Sequence, residues 1–368
     1  MIIKNGLVFS EDKTFVKQDI YIRNHHFVEK SAFSEESPDV IDAQGMYVIP
    51  GLIDIHSHGA VGCDFSDADV EGIAEILRYE KKCGITSYCP TTMTLSGEQI
   101  FAVLDVANQL RFEEDMARIV GINMEGPFLD PLKKGAHMEQ YIQEPDVAFF
   151  RECNERSGRR IRLVTLAPNM PGALEFIREL KDETTIALGH TSADYDTARE
   201  AFAAGARHVT HLYNAMPVFA HRAPGLIGAA AENKECMAEL ICDGIHVHES
   251  VVRATFDMFQ DRVVLVSDSM RAAGMADGSY ELGGQEVHVK GKYATLSDGT
   301  IAGSVTNLFD CMRTAAAFGI PLEEAVAAAT MNPAKSIGIY DKVGSISAGK
   351  RADVLLLDKE LRLLRVIT

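Results

Sequence analysis

At the start of the chain, apolar and polar positions alternate in short runs, MIIKNGLVF, DIYIRNHHFV and DVIDAQGMYVIP, punctuated by Gly and Asn. Alternation over such runs predicts the strands of a small sheet over residues 1–48. From Ile49 the pattern changes: short apolar runs now alternate with stretches of helical period. In order they read LIDIH then DVEGIAEILRYEKKCG; ITSYCPT then GEQIFAVLDVANQL; RIVGINME; IRLVTLAP then GALEFIREL; TTIALGH then DYDTAREAFAAG; HVTHL; MAELICDG then SVVRATFDMF; and RVVLVSD. Eight strand candidates with helices between most of them are the mark of parallel βαβ units. A closed (β/α)8 barrel of the TIM type over residues 49–339 is the economical α/β arrangement.

Two segments depart from that alternation. GSYELGGQEVHVKGKYATLSDGT, residues 278–300, reads as a β-hairpin insertion after the eighth strand. After two more helices, GSISAGKRADVLLLDKELRLLRVIT returns to short strands. Residues 340–368 are therefore expected to join residues 1–48 in one small β-sandwich domain built from both chain ends.

The chain has 368 residues, 46% of them hydrophobic, enough to bury a barrel core of roughly 250 residues and a satellite domain. Its formal charge of -17, with no Lys/Arg-rich run, argues against nucleic acid or an anionic membrane as partner, because the field of the whole protein repels both. An anionic substrate must then be held by local donors. No apolar run approaches the ~18 residues of a membrane span and no leader pattern opens the chain, so cytoplasmic residence is the expectation. The seven cysteines include no Cys-x-x-Cys pair and suit reduced core thiols.

His56 and His58 stand in DIHSH at the end of the first barrel strand, where residues two apart face the same side. Alone, such a pair fits a core or solvated reading equally well. Glu125 in NMEGPF, His190 in LGHTS, His211 in THLYNAMP and Asp268 in VSDSM change that, because each also falls where an apolar strand ends. In this barrel the strand ends form the catalytic face. Ionisable groups that repeatedly terminate apolar strands need a common partner, and a divalent metal is the obvious one. Imidazole and carboxylate ligands suit Zn²⁺; ligand type alone leaves Fe²⁺ and Mn²⁺ open.

With those residues in place, the chain resembles the amidohydrolase superfamily. Within it, MEGPFLDPLKKGAH, GHTSADY, HLYNAMPVFAHRAPG, DGIHVH, SDSM and TIAGS are similar to the N-acetylglucosamine-6-phosphate deacetylases, nearly end to end. The resemblance implies one or two metal ions held by Glu125, His190 and His211, with His56 and His58 completing a second site. It implies Asp268 as acid/base and His137 as the group that polarises the acetyl carbonyl. It also implies a sugar phosphate held by Arg222, Asn214, Ala215 and His246, with Ala136 and the Ile301, Ala302, Gly303 stretch lining the site. A homodimer completes the phosphate pocket in that family. Two positions depart from the family pattern, Ser269 where Ala is more usual and Val218 where a second Pro is common. The galacto epimer of the substrate, or another amidohydrolase reaction such as that of a dihydroorotase, stands as the alternative, and a non-catalytic barrel scaffold as the remotest one. Many of those other enzymes bridge their metals with a carboxylated lysine, and Glu125 occupies the equivalent strand end here.

Overall fold

The computed structural model describes residues 1–33 and 38–368. Its centre is a barrel of parallel strands, each beside the next in chain order: Leu52–Ser57, Ile85–Thr92, Ile122–Glu125, Ile161–Leu166, Thr185–Leu188, His208–Val209, Met237–Ile241 and Val263–Val266. No ladder joins the eighth strand to the first among the described residues. Single hydrogen bonds close that seam: Asp268 N–H to the His56 carbonyl (2.9 Å) and His58 N–H to the Ser269 carbonyl (2.8 Å). Ile53, Ile55, Leu163, Ala187, Ile241 and Val266 pack together inside, and Ala334, Ile337, Ile339 and Val343 join them at one end. The barrel is thus a packed core, and only its other end is available for chemistry.

The helices wrap the strands as their period requires. Val70–Lys82, capped by the Asp69 carboxylate on the Glu71 and Gly72 N–H groups, buries Ile73, Ile76 and Leu77 and leaves its charged face outside. Helices Val147–Arg156 and Gly225–Glu232 follow the third and sixth strands, where the hydrophobic pattern predicts none. GLIGAAAE is apolar nearly all round and so shows no stripe, and VAFFRECNER buries only Phe150 and Cys153.

The insertion is a three-stranded antiparallel meander, Gly278–Leu282, Gln285–Lys290 and Tyr293–Thr295, in place of the expected hairpin. Three helical segments follow it where two are expected. The last, Met331–Ser336, breaks from Leu322–Ala329 at Thr330, three residues before Pro333, whose ring removes a helical N–H donor.

Both chain ends meet in a seven-stranded sheet, in which Val354–Leu357 pairs antiparallel with Tyr47–Pro50. Ile3, Val8, Ile20, Ile22, Val48, Val354 and Leu356 share its core. The sheet strand runs on to Pro50, two residues past the predicted boundary, before the chain enters the barrel at Leu52.

Candidate active site

His56, His58, Glu125, His190, His211 and Asp268 come together at the open end of the barrel, as their places at five strand ends require. Three of them leave their strands through left-handed backbone, His190 at φ 45°, His211 at φ 25° and Asp268 at φ 47°. Non-glycine residues occupy that region at a cost of about 1–3 kcal/mol each and persist where the surroundings over-determine them. Here the strain turns each side chain from the wall towards the barrel axis. Gly303, at φ 65°, has the same conformation for a different reason: a Cβ there would lie 3.2 Å from the Asp268 carbonyl oxygen.

Buried Glu125 is the hub. Its Oε1 lies 3.2 Å from His190 Nε2, 3.1 Å from His211 Nε2 and 3.5 Å from His56 Nε2. Its Oε2 lies 3.2 Å from His58 Nε2 and 3.3 Å from His137 Nε2. Asp268 Oδ1 approaches His58 Nε2 at 3.5 Å and His56 Nε2 at 3.7 Å.

The second nitrogen of each ring determines what these atoms can be. His58 Nδ1–H donates to the Thr91 carbonyl (3.2 Å) and His190 Nδ1–H to the Lys133 carbonyl (2.8 Å), while His56 Nδ1–H donates to the Glu239 carboxylate (2.8 Å). Such acceptors offer no proton, so each of these three rings carries one on Nδ1 and turns its Nε2 to the centre. Between His190 and His211 the Nε2 atoms are only 2.9 Å apart. Imidazole nitrogens and carboxylate oxygens crowded this closely need positive charge among them, from protons on the rings or from a bound cation. The donor set therefore fits a divalent cation: His56, His58 and Glu125 form one group that could hold it, and Glu125, His137 and His190 another.

Electrostatics point the same way. Burial opposes the charged form of His58, but Asp268 and Glu125 outweigh it and lift the ring to about 9. Burial likewise opposes ionisation of Glu125, yet His56 and the neighbouring imidazoles hold it well below the usual carboxylate range. Asp268 is held down against burial by His56 and His58 and is ionised at neutral pH. His137 is the exception: burial prevails over Glu125 and pushes it down to about 4, so its ring is neutral.

A cavity of about 510 Å³ opens above the cluster. Ala136, Asn214, Ala215, His246, Ile301, Ala302 and Gly303 line it together with His137. Asp243 accepts the His246 Nδ1–H (2.8 Å) and so aims that ring. The Ala302 N–H is committed to the Ala294 carbonyl (3.0 Å), and the Asn214 amide nitrogen donates to the His211 and Leu212 carbonyls (3.3 Å each). Arg222 is not among the lining residues. It is exposed, in the loop that also carries Val218 (80% exposed) and Phe219 (53%), and has no ion pair among the described residues. Within one chain the cavity's cations are Lys133 and Lys134, passed over in sequence although they sit in the LKKGAH run. Ser269, the departure from the family pattern, bridges the seam: its hydroxyl lies 2.7 Å from Ser57 Oγ and donates to the Gly59 carbonyl (2.9 Å).

The chain belongs to the amidohydrolase family, whose sequence model matches residues 47–367. It is 39% identical to the N-acetylglucosamine-6-phosphate deacetylase of Bacillus subtilis (strain 168) over 345 residues, 92% of this chain and 86% of that one. It is 34% identical to the N-acetylgalactosamine-6-phosphate deacetylase of Escherichia coli O157:H7, covering 89% of this chain and 88% of the relative. A mutant of the Mycobacterium smegmatis N-acetyl-D-glucosamine-6-phosphate deacetylase, solved in complex with N-acetyl-D-glucosamine-6-phosphate, superposes with a TM-score of 0.92 at 31% identity, covering 100% of this chain and 97% of that one. Among the described residues no helix is long and apolar enough to cross a membrane.

Proposed function

We propose that this chain is a metal-dependent hydrolase of a linear amide, removing the acetyl group of N-acetylglucosamine 6-phosphate to give glucosamine 6-phosphate and acetate. The observation that carries the reading is the convergence of five Nε2 atoms, from His56, His58, His137, His190 and His211, on the Glu125 carboxylate, with ionised Asp268 alongside. The likeness to named deacetylases over nearly the whole chain supports the choice of substrate.

Glu125, His190 and His211 would hold the ion, for which Zn²⁺ suits the imidazole and carboxylate donors and Fe²⁺ or Mn²⁺ stays open, and His56 and His58 would hold a second. When bound, a divalent ion there supplies Lewis acidity and acidifies water. Asp268 takes the proton from the attacking water, a C–O bond forms, and the same carboxyl delivers that proton to the departing nitrogen as the C–N bond breaks. The neutral His137 ring donates from Nε2 to the carbonyl oxygen as charge gathers on it. His246 and the Asn214–Ala215 turn face the sugar. The phosphate is met by Arg222 of a second copy in a homodimer, whose contact covers Val218 and Phe219.

The galacto epimer is the second reading, favoured by the 34% identity to a deacetylase of that sugar. Acetate release by Zn²⁺-loaded protein from the gluco 6-phosphate, the galacto 6-phosphate and unphosphorylated N-acetylglucosamine, run in parallel, tests both. A preference for one phosphorylated epimer names the substrate; no release from any of them rejects the proposal.

A further inference from the structure

Glu239 lies on the seventh strand, fully buried, and belongs neither to the cluster of chemical residues nor to the cavity wall. A buried carboxylate needs a full set of donors, and this one has them. Oε2 accepts from His56 Nδ1–H at 2.8 Å and from the His211 backbone N–H at 3.0 Å; Oε1 accepts from His208 Nε2–H at 3.0 Å. His208, also fully buried, has its Nδ1 2.7 Å from Ser336 Oγ. The Ser336 carbonyl in turn accepts from Thr185 Oγ1 at 2.8 Å.

The carboxylate fixes the direction of the bonds made to it. An ionised carboxylate only accepts, so both histidines donate to it, and in a neutral His208 ring Nδ1 then accepts the Ser336 hydroxyl proton. His56 then keeps a proton on Nδ1 and turns Nε2 to the centre, and among the described residues that buried Nε2 has no hydrogen-bond partner. Glu239 also fixes the backbone of His211, the residue whose left-handed turn aims a second imidazole. One carboxylate thus sets the tautomer of one candidate ligand and the position of another.

We infer that Glu239, backed by His208 and Ser336, is the positioning residue of the metal centre: it locks the Nε2 lone pair of His56 onto the ion while touching neither ion nor substrate. This rests on reading the cluster as a divalent-metal centre.

Metal-stripped protein is titrated with Zn²⁺ against a chromophoric chelator, comparing wild type, Glu239→Ala and Glu239→Gln. Loss of an orienting partner of a ligating histidine is expected to weaken zinc binding by roughly 10- to 100-fold in the Ala variant. The Gln variant, whose carboxamide oxygen still accepts from His56, should recover most of that loss. A merely structural residue would lower Tm and leave the zinc affinity of the folded protein unchanged, which would overturn the inference, as would a Gln variant as weak as Ala. Should the Ala variant not fold, ¹¹³Cd NMR of wild-type protein carrying ¹⁵N-histidine decides the matter. Cadmium coupling to His56 Nε2, with the proton on Nδ1, is expected; coupling to Nδ1 overturns the inference. Wild-type protein that takes up no zinc at all sinks the metal centre itself, whereas wild-type zinc affinity in Glu239→Ala sinks only the role of Glu239.

Discussion

The backbone N–H of Thr94 lies 3.2 Å from His137 Nδ1, which leaves the ring's single proton on Nε2, the atom facing Glu125 at 3.3 Å. Burial keeps that ring neutral, with its titration pushed down to about 4. His137 is thus a fixed hydrogen-bond donor across the working pH range. His137→Asn should lower kcat about 10²- to 10³-fold, the usual effect of removing one donor to a developing oxyanion, with little change in KM. Steady-state kinetics on the phosphorylated substrate check it. A variant that loses KM and keeps kcat would move His137 from the reacting carbonyl to ground-state binding.

Asp268→Asn separates proton transfer from architecture. Asn tolerates the left-handed backbone found at this position, and its N–H and carbonyl bonds to His56 and Ser304 are main-chain groups that the substitution leaves alone. Turnover should fall about 10²- to 10⁴-fold while substrate still binds. Calorimetric binding beside single-turnover rates measures both quantities, and near-wild-type turnover would remove Asp268 from the proton path.

Metal uptake should release protons. Without a metal, Asp268 and Glu125 hold a proton on His58 up to about 9, and a coordinated Nε2 cannot keep one. At pH 7, zinc binding should therefore expel protons, and affinity should fall as the pH drops below about 9. Calorimetry in buffers of different ionisation enthalpy counts the released protons. Zero release at pH 7 would mean that the ion does not displace the His58 proton.

Much of this site is legible in one dimension because barrel geometry turns strand ends into a shared address. His56, Glu125, His190, His211 and Asp268 each terminate an apolar run, and that coincidence is visible without coordinates. Glu239 is invisible by the same logic, because it sits inside MAELI and meets His56 across 183 positions of sequence. Thr94 acts through its backbone, which no side-chain pattern reveals. Nothing in the sequence singles out Lys133 and Lys134, which the fold sets at the cavity. Arg222 shows the opposite limit, since its motif is clear and yet a single chain leaves it in solvent.

Arg222→Ala therefore tests assembly and recognition together. If a partner's Arg222 meets the phosphate, the variant should lose selectivity for phosphorylated over unphosphorylated N-acetylglucosamine, chiefly through KM, because a charged hydrogen bond of about 1.5–3 kcal/mol is removed. Sedimentation of the wild type should show a dimer. An unchanged selectivity ratio would assign the phosphate to Lys133 and Lys134 of the same chain.

Glu80 gives the fold a pH dependence separate from catalysis. It lies on helix Val70–Lys82, fully buried, and among the described residues neither carboxylate oxygen has a hydrogen-bond partner. Burial first, and Asp54 second, push its titration well above the ordinary 4.5. A carboxyl raised on folding binds more protons in the native state than in the unfolded one, so stability is present in full below the unfolded value and is lost as pH rises towards the folded one. Wild-type protein should accordingly lose stability from about pH 4.5 upwards relative to Glu80→Gln, which has no proton to give up. Urea unfolding at pH 5.5 and 8 reads the difference, with other titrating groups cancelling between the two proteins. The gap between the midpoints should shift in favour of the Gln variant at the higher pH, and parallel profiles would show that Glu80 is ionised and solvated in the native state.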